Sequence, residues 1–409
     1  MKMLQINAVN IIGSTGRSTS EINNYLNKNG YTGSIAYAYG INEKNSYIIG
    51  NSLDRKIHGF LSRILGLQGY FSLLSTKKLI SYIKEFKPDV VRLGNLHSNY
   101  INIPYLTKFL AKNDIATILT LDDCFYYTGK CMHYTSQKCY KWKEKCGKCP
   151  RIKNDNPSWL FDFTKKMLID KEKNFNSIPR LAVVGVSEWI TNEAKNSILS
   201  NADYITTIYN WIDLDVFKFK NNVDLGISEL KNKFIILGVA TEWSDLKGLN
   251  TFIELSKFLE EDEVIVLIGK LNNKIRLPKN IINIKQTNNV EKLVEFYSKA
   301  NVFLQLSKEE TFGKVVAESL ACGTPVITIN STANAELVGK NCGFILERRS
   351  VKEIINSIKK IKNNKKDYYS KFCRNFAEKS FDKNTNISKY IELSKKLIQL
   401  KGEKYDLFN

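Results

Sequence analysis

The chain is poor in the features that mark integral membrane, secreted and repetitive proteins. No apolar run reaches the ~18 residues that a membrane-spanning helix needs, which excludes a protein built on such spans. Residues 1–7 enter an alternating, strand-like pattern directly, without a secretory signal. Low-complexity tracts and solenoid-type repeats are also missing from the sequence. We therefore expect a globular protein of the cytoplasm that does not cross a membrane.

The composition is that of an ordinary globular protein with an excess of basic residues. The 409 residues suffice for two or three domains, and 43% of them are hydrophobic. Lys and Arg number 61 against 41 Asp and Glu, a formal charge of +20. Such an excess indicates an anionic partner, which could be nucleic acid, anionic lipid or a phosphorylated substrate. Because the lysines are spread along the chain, a membrane surface or a phosphorylated small molecule fits better than nucleic acid.

Short apolar runs bounded by glycine or asparagine recur along the chain in two series, a pattern that indicates buried parallel strands. The first series has its runs at 1–9, 90–93, 116–121 and 181–187, and the second at 234–240, 264–269, 281–284, 302–306 and 326–329. Helical patterns between the runs predict crossover helices on both faces of each sheet. The sequence therefore predicts an α/β protein with two doubly wound sheets.

The most informative segment joins one of these strands to a helix. Two carboxylates, Glu310 and Glu318, stand eight positions apart, with Gly313 between them. Glu310 follows the strand 302–306, at the edge of a parallel sheet where ligands bind, and Glu318 is expected about two turns along the next helix. The backbone N–H groups at 311–313 would open that helix and form an anion site.

Two further segments have the character of phosphate-binding loops. Gly13-Ser14-Thr15-Gly16-Arg17 follows the first strand, and glycines there would let the backbone approach a phosphate closely. Lys247-Gly248 follows the strand 234–240, where a lysine can stabilise a departing diphosphate. Either segment taken alone is also compatible with a plain turn and a solvated lysine.

Together these motifs resemble those of the retaining family-4 glycosyltransferases with the GT-B fold. In that family the first glutamate contacts the transferred sugar and the second binds the nucleotide ribose. The resemblance implies two Rossmann-like domains facing across a cleft: an acceptor-side domain at 1–210 and a nucleotide-sugar domain at 211–384, with a helix at 385–409 that crosses back to the first. The donor-binding residues that it implies are Gly13, Ser14, Gly16, Arg17, Lys247, Glu310, Thr311, Phe312, Gly313 and Glu318.

The catalytic residues implied by the resemblance are Glu310, Lys247, His97 and Asp122. Related members usually have Thr-Leu-His-Asp-Cys where this chain has Thr120-Leu121-Asp122-Asp123-Cys124. An ionised Asp122 accepts hydrogen bonds but cannot donate them, so either the acceptor chemistry differs or His97 carries more of it. The chain departs again at Trp211, which replaces a linker glycine, and at 241–246, which lack the family's upstream arginine.

The family's transfer reaction is generally described as front-face attack, in which the leaving phosphate itself takes the acceptor's proton. Such a reaction needs no protein nucleophile, and the sequence offers no convincing Ser-His-Asp or Cys-His set. The pattern Asp213-Leu214-Asp215, which could suggest a divalent metal, falls in the expected interdomain linker. We therefore expect no cofactor for catalysis.

Five of the eight cysteines lie within the insert 124–150. The Cys146-x2-Cys149 pair is a common half-site for tetrahedral zinc, which Cys131 and Cys139 would complete, with His133 as an alternative ligand. Disulfides and free thiols are the other possibilities, the former disfavoured in a reducing cytoplasm. A similar insert occurs in a family-4 subgroup linked to bacterial exopolysaccharide and O-antigen synthesis, of the colanic-acid type.

The resemblance implies a UDP- or GDP-sugar donor, a lipid-linked oligosaccharide acceptor and no nucleic-acid partner. A location at the inner face of the cytoplasmic membrane would follow, and the apolar segment 57–74 could be either a membrane-facing surface or buried core. Two other functions stay open: an epimerase or hydrolase of nucleotide-sugars on the same fold, and a zinc-containing nucleic-acid binder suggested by the charge and the cysteines.

Overall fold

The computed structural model describes residues 1–285 and 289–406, with side chains up to residue 400. The chain divides into two compact units. The first unit comprises Met1–Ile208 together with the C-terminal segment from Ile387, and the second unit comprises Tyr209–Asn386.

A sheet of seven parallel strands forms the centre of the first unit, all of it within described residues. The strand order is β3-β2-β1-β4-β5-β6-β7. Every residue of β4, β5 and β6 is buried, as expected for a sheet that is covered on both faces. The strands are β1 (Lys2–Val9), β2 (Thr32–Tyr39), β3 (Ser46–Ile48), β4 (Val90–Leu93), β5 (Ala116–Leu121), β6 (Leu181–Gly185) and β7 (Tyr204–Thr207).

Crossover helices connect these strands. Asn51, Asn102 and Ser187 each accept a backbone N–H in the first turn of the helix that follows, which explains why α2, α4 and α6 begin where they do. The helices of the first unit are α1 (Gly13–Lys28), α2 (Ser52–Leu65), α3 (Leu73–Phe86), α4 (Ile103–Lys112), α5 (Thr164–Asn176) and α6 (Glu188–Lys195).

The described part of the second unit contains a six-stranded parallel sheet with the order β10-β9-β8-β11-β12-β13. Its strands are β8 (Phe234–Glu242), β9 (Glu263–Lys270), β10 (Ile281–Ile284), β11 (Val302–Gln305), β12 (Val326–Ile329) and β13 (Gly343–Leu346). Its helices are α7 (Leu249–Leu255), α8 (Val290–Lys299), α9 (Lys314–Ala321) and α10 (Val351–Phe381), the last broken at Lys365, where φ is 61°.

The last helix, α11 (Lys383–Asp406), belongs to the first unit from Ile387 onward. There the Arg92 guanidinium lies 5.2 Å from the ring centroid of Tyr390, and Arg180 donates to the carbonyl of Leu397. No helix among the described residues is both long enough and apolar enough to span a membrane.

Both sheets have the doubly wound order that the sequence predicts. In each, the direction of strand addition reverses once, between β1 and β4 in the first unit and between β8 and β11 in the second. Ligands of such sheets bind beyond the carboxyl ends of the strands at this reversal. The side chains that follow β1, β4, β8 and β11 are therefore the first to consider as a functional site.

Candidate active site

An ion pair stands at the strand reversal of the second unit. Lys247 lies in the loop after β8 and Glu310 in the loop after β11, and Lys247 Nζ is 2.5 Å from Glu310 Oε1. Gln305, the last residue of β11, donates weakly to the same oxygen at 3.4 Å. The Glu310 N–H donates to Thr332 Oγ1 at 2.8 Å, which fixes the backbone of the loop. The two charged groups are part-exposed, so a ligand can reach both.

Arg349 holds the loop that carries Lys247. Its guanidinium donates to the carbonyl oxygens of Asp245, Leu246 and Leu306 at 2.7, 2.6 and 2.6 Å, respectively. These three bonds fasten the loop after β8 to the end of β11. Sequence reasoning missed Arg349; the only available signal was its place just beyond β13, at the carboxyl edge of the same sheet.

Gly248 is required for the same loop to pack. Its φ is +92°, and a Cβ atom there would lie 2.6 Å from Leu306 Cβ. Only glycine adopts this backbone conformation readily, and any side chain here would displace Leu306 or the loop itself. The lysine beside it is therefore held close to the strand that leads to Glu310.

Glu318 occupies a more enclosed position than its role in the resemblance suggests. It is the fifth residue of α9, about one turn into the helix rather than two. Its carboxylate is buried and accepts a hydrogen bond from the Tyr297 hydroxyl at 3.0 Å. Tyr297 was not anticipated from the sequence, because it lies on α8 and reaches Glu318 only through packing.

The segment 311–313 leads into α9 as expected, with Gly313 in the left-handed region at φ 89°. Phe312 is buried, and its ring packs edge-on against Phe381 with centroids 5.5 Å apart. The Phe312 side chain is thus part of the core of the second unit. What this residue can offer a ligand is its backbone.

The glycine segment of the first unit is not the loop that was predicted. Gly13, Ser14 and Gly16 lie in the first turn of α1, and Arg17 follows them on that helix. Gly16 allows close packing, since a Cβ there would lie 3.0 Å from the carbonyl carbon of Asn10. The free N–H groups at the start of α1 give this helix end a positive potential. No acidic side chain in the first turn offsets that potential.

His97 pairs with Asp123 rather than with Asp122. His97 follows β4, Asp123 follows β5, and His97 Nε2 is 2.7 Å from Asp123 Oδ2. Burial alone would lower the pKa of His97, but the Asp123 carboxylate outweighs it and the pKa is raised. The pKa of Asp123 is lowered by the same pairing, against the effect of burial. Asp122 is half-buried, and its charge also acts on His97.

A buried lysine supports this pair from α5. Lys171 Nζ donates to the carbonyl oxygens of Phe125 and Thr128 at 2.5 and 2.9 Å. The Phe125 N–H in turn donates to Asp123 Oδ1 at 2.8 Å. Burial lowers the pKa of Lys171 to about 7. The position of the Asp123 carboxylate thus depends on a turn that Lys171 fastens.

The four cysteines proposed as zinc ligands, Cys131, Cys139, Cys146 and Cys149, line one cavity. Its inner volume of about 20 Å³ has room for a single water molecule or metal ion. All four are free thiols, and contact with Cys131 lowers the pKa of Cys149 to about 7. Within 124–150, no three cysteine sulfurs lie within 4.8 Å of one another. His133, the alternative ligand, is not among the residues that line the cavity, and its charge acts on Asp123.

Among the described residues, one group of three potential metal ligands lies close enough together to hold an ion: Glu260, Asp262 and Glu263. Lys362 donates to all three carboxylates at 2.7, 2.8 and 3.2 Å. This cluster already contains its own cation and lies apart from the strand reversal. It therefore adds nothing to the candidate site.

Comparison with known proteins identifies the second unit. Residues 218–382 match the family model of the glycosyl transferases group 1. These residues form a group 1 glycosyltransferase domain. The domain contains Lys247, Glu310 and Glu318, so the ion pair at the strand reversal lies inside the part of the chain that the family defines.

Two curated relatives that this chain matches are named for the synthesis of bacterial surface polysaccharides. The chain is 26% identical over 200 residues to the capsular polysaccharide biosynthesis glycosyltransferase CapM of Staphylococcus aureus, covering 44% of this chain and 52% of CapM. It is 23% identical over 276 residues to the putative colanic acid biosynthesis glycosyl transferase WcaC of Escherichia coli, covering 66% of each. The matches thus span about half of CapM and two thirds of WcaC.

Solved glycosyltransferase structures share the fold across nearly the whole chain. Sucrose-phosphate synthase from Thermosynechococcus elongatus superposes with a TM-score of 0.73 at 14% identity, covering 98% of this chain and 100% of that one. HepE from Anabaena in complex with UDP-glucose superposes with a TM-score of 0.64 at 14% identity, covering 96% and 98%. The expected GT-B fold, with its two Rossmann-like sheets, is confirmed.

Proposed function

We propose that the protein is a retaining glycosyltransferase that moves a hexosyl group from a nucleoside diphosphate sugar to a saccharide acceptor. The observation that carries the proposal is the Lys247–Glu310 pair at the strand reversal of a group 1 glycosyltransferase domain. The part-exposed Lys247 ammonium and Glu310 carboxylate suit the two parts of such a donor, the diphosphate and the sugar. Lys247 faces the diphosphate and Glu310 accepts hydrogen bonds from the sugar hydroxyls.

The donor is a UDP- or GDP-sugar in this proposal. HepE, whose fold this chain shares, is described in complex with UDP-glucose, which supports a nucleotide-sugar donor. Glu318 would accept the ribose hydroxyls, with Tyr297 holding its carboxylate in place. The backbone N–H groups at 311–313, the first turn of α1 with Gly13, Ser14 and Gly16, and the Arg17 side chain just beyond it would add positive potential for the phosphates.

The chemistry requires positioning and charge stabilisation rather than a protein nucleophile. The bond between the anomeric carbon and the leaving phosphate oxygen breaks, and a bond from the acceptor hydroxyl oxygen to that carbon forms on the same face. The acceptor's proton passes to the leaving phosphate. Lys247 stabilises the negative charge that builds on the diphosphate, and His97 with Asp122 and Asp123 would orient the acceptor.

The acceptor is a lipid-linked oligosaccharide at the inner face of the cytoplasmic membrane in this proposal. The names of CapM and WcaC support a place in capsular or colanic-acid-type polysaccharide synthesis. The formal charge of +20 suits both an anionic membrane surface and a phosphorylated substrate.

We also propose that Cys131, Cys139, Cys146 and Cys149 bind a structural zinc ion. Thiolates are the preferred ligands of closed zinc sites, and the shared cavity has room for one ion. The sulfurs must draw together on binding, so metal would tighten the insert. Elemental analysis of the purified chain should find about one zinc per chain, removable by a chelator with loss of thermal stability. Metal-free protein that is stably folded with reduced thiols would refute this site.

The transferase proposal is tested by the release of nucleoside diphosphate from a panel of UDP- and GDP-sugars. Release should require a lipid-linked saccharide acceptor and should be lost in Glu310→Gln. Release at the same rate without acceptor would indicate a hydrolase, and conversion of the sugar without release would indicate an epimerase. Either result would overturn the proposal.

A further inference from the structure

A cavity of the first unit lies between the end of α2 and the loop that follows β4. Its volume is about 90 Å³, several times the space that one water molecule needs. It is lined by α2 and the residues just after it, by the loop after β4, and by the segment 155–157, which follows the cysteine insert. All of its lining residues lie outside the segment 218–382 that matches the family model.

The wall of this cavity carries polar side chains that are buried and unpartnered. Gln68 is 4% exposed and Ser62 is 6% exposed. Among the residues that the structure describes, no hydrogen-bond partner reaches either amide atom of Gln68, Ser62 Oγ or Asn99 Oδ1. Buried polar groups are nearly always hydrogen-bonded, because a group left without a partner lowers stability. Four such atoms around one cavity therefore indicate a ligand site rather than a packing element.

The loop that carries Asn99 is held in an unfavourable backbone conformation. Ser98 and Asn99 are consecutive non-glycine residues with positive φ, 101° and 61°. Such conformations persist only where the surrounding structure enforces them, and they are common at ligand sites. Here the Tyr39 hydroxyl donates to the Ser98 carbonyl at 3.0 Å, and Ser98 Oγ is hydrogen-bonded to His97 Nδ1 at 3.3 Å. The loop thus joins the cavity to a residue that is proposed to orient the acceptor.

Two charged groups of the cavity wall already have partners. Lys130 is buried, and its ammonium donates to three carbonyl oxygens of the segment 152–156 at 3.1, 2.8 and 2.8 Å. Asp155 accepts from Arg151 through both of its oxygens at 3.1 Å. Since Lys130 belongs to the insert 124–150, the insert fixes this wall in place. The unpartnered groups of the wall are uncharged amides and a hydroxyl.

These groups define the chemical class of the ligand. The Gln68 amide offers an acceptor and a donor side by side, the Ser62 hydroxyl offers both, and Asn99 Oδ1 accepts. Neighbouring hydroxyl groups of a sugar ring each donate and accept, so they can pair with all four atoms. An anion would meet two carbonyl oxygens that repel it, and an apolar group would leave the four atoms without partners.

We propose that this cavity binds one uncharged sugar residue of the acceptor, and that Gln68 and Ser62 determine which sugar is accepted. The inference rests on the proposed transferase function and deepens it, because it assigns part of acceptor recognition to named residues of the first unit. Water is the competing occupant. A bound sugar and bound water differ in what they predict for variants of the cavity wall.

Gln68→Met separates a binding role from a structural one. It keeps the length of the side chain and removes two unpartnered polar atoms, so the melting temperature should stay the same or rise. The matched control is Gln5→Met. Gln5 is also buried, but its amide donates to the Thr19 carbonyl at 2.8 Å and accepts from Arg92 at 3.2 Å, so its loss should lower the melting temperature.

Gly59→Ala narrows the cavity without disturbing α2. The added Cβ would lie 3.5 Å from Asn99 Nδ2, an ordinary van der Waals contact, and alanine stabilises a helix interior relative to glycine. The melting temperature of this variant should therefore not fall, while a methyl group stands in the space that the sugar needs.

Binding is measured by saturation-transfer NMR titration of the full chain with the methyl α-glycosides of glucose, galactose, mannose and N-acetylglucosamine. At least one should bind wild type and Gln5→Met with a Kd on the order of 1 mM, as expected for a ligand of this size. Gln68→Met and Gly59→Ala should bind it at least about tenfold more weakly. In transfer assays the same glycoside should compete with the acceptor, and Gln68→Met should raise the KM for the acceptor at unchanged kcat.

The proposal is overturned if wild type binds none of the glycosides, if Gln68→Met binds as well as wild type, or if the bound glycoside does not compete with the acceptor. A loss of melting temperature in Gln68→Met as large as in Gln5→Met would also overturn it, since Gln68 would then be a structural residue. UDP and GDP are titrated against the same proteins. Nucleotide binding without glycoside binding contradicts only the sugar cavity, and glycoside binding without nucleotide binding contradicts only the donor site.

Discussion

Lys247 and Glu310 are 63 positions apart in the sequence, yet their Nζ and Oε1 atoms are 2.5 Å apart. They meet because β8 and β11 are neighbours at the point where strand order reverses, and each residue follows the carboxyl end of its strand. The fold thus brings together one cation and one carboxylate at the place where an α/β sheet binds its ligand. The proposed function depends on this pair.

Replacing Lys247 by Met should remove the positive charge that stabilises the leaving diphosphate. We expect kcat/KM for transfer to fall by about 10²–10³, the typical cost of losing one preorganised charge-stabilising group. Lys257→Met, an exposed lysine elsewhere in the second unit, is the control and should keep wild-type turnover. Wild-type turnover in Lys247→Met, measured by nucleoside diphosphate release, would contradict the assignment.

Glu318 and Tyr297 give a prediction about donor affinity. Tyr297→Phe removes one hydrogen bond to the buried Glu318 carboxylate, which we expect to weaken nucleotide binding by about three- to tenfold, or roughly 1 kcal/mol. Glu318→Ala should weaken it more. Calorimetric titration of the nucleotide measures both. Unchanged affinity in Glu318→Ala would exclude Glu318 from the ribose site.

Gly248→Ala tests the packing of the Lys247 loop. The new methyl group would meet Leu306 at a left-handed backbone position, and we expect destabilisation of about 1–3 kcal/mol. Gly226→Ala is the matched control, because Gly226 also has a positive φ, +67°, but no atom lies within 4 Å of the added Cβ. Denaturant unfolding should show the larger loss for Gly248→Ala. Equal losses would mean that Leu306 does not restrict this position.

The Arg349→Lys variant keeps the charge but loses the planar fork that contacts three carbonyl oxygens. We expect a raised KM for the donor, since the loop that carries Lys247 is less well held. The rise should be accompanied by a lower melting temperature. A variant with wild-type KM would show that the loop keeps its shape without the guanidinium.

The His97–Asp123 pair predicts a pH dependence of stability. The pKa of His97 is raised in the folded state, so its contribution is fully present below the unfolded pKa of about 6.5 and is lost as pH rises through the folded value. The pKa of Asp123 is lowered, so its contribution is lost in acid. Lys171 and Asp122 also act on His97 and oppose each other in sign.

Melting temperatures across about pH 5.5–8.5 measure this effect. Wild type should lose stability toward the alkaline end relative to His97→Asn, in which the titrating group is absent. Asp123→Asn should flatten the profile in the same way, because it removes the charge that raises the His97 pKa. Parallel profiles for all three proteins would show that the pair does not contribute to stability.

Much of the fold could be predicted from the sequence because buried parallel strands consist of continuous apolar runs. The predicted strands 281–284 and 326–329 agree with β10 and β12 to the residue. The edge strands β7 and β13 were not predicted: neither is fully buried, and the apolar runs in Tyr204–Thr207 and Gly343–Leu346 are three residues or shorter. The glycine segment at 13–16 is predicted as a phosphate-binding loop because it directly follows the first strand, whereas in the structure it forms the first turn of α1.

The candidate site was only partly predictable. Glu310 and Lys247 can be found from short sequence motifs, because each lies in the loop that follows an apolar strand. The choice of Asp123 over Asp122 as the partner of His97 depends on which carboxylate points toward β4, and this depends on the packing of neighbouring strands. Arg349 lies about a hundred positions from the loop that it holds, a relationship that no periodicity reveals.

A thermal-shift comparison of wild type and Lys247→Met against UDP, GDP, ADP and CMP tests the central claim most directly, with single-stranded DNA as a control ligand. The account predicts that one nucleoside diphosphate raises the melting temperature of wild type, that the rise is much smaller in Lys247→Met, and that DNA has no specific effect. A rise with DNA and with no nucleotide would contradict the donor site and favour a nucleic-acid-binding protein.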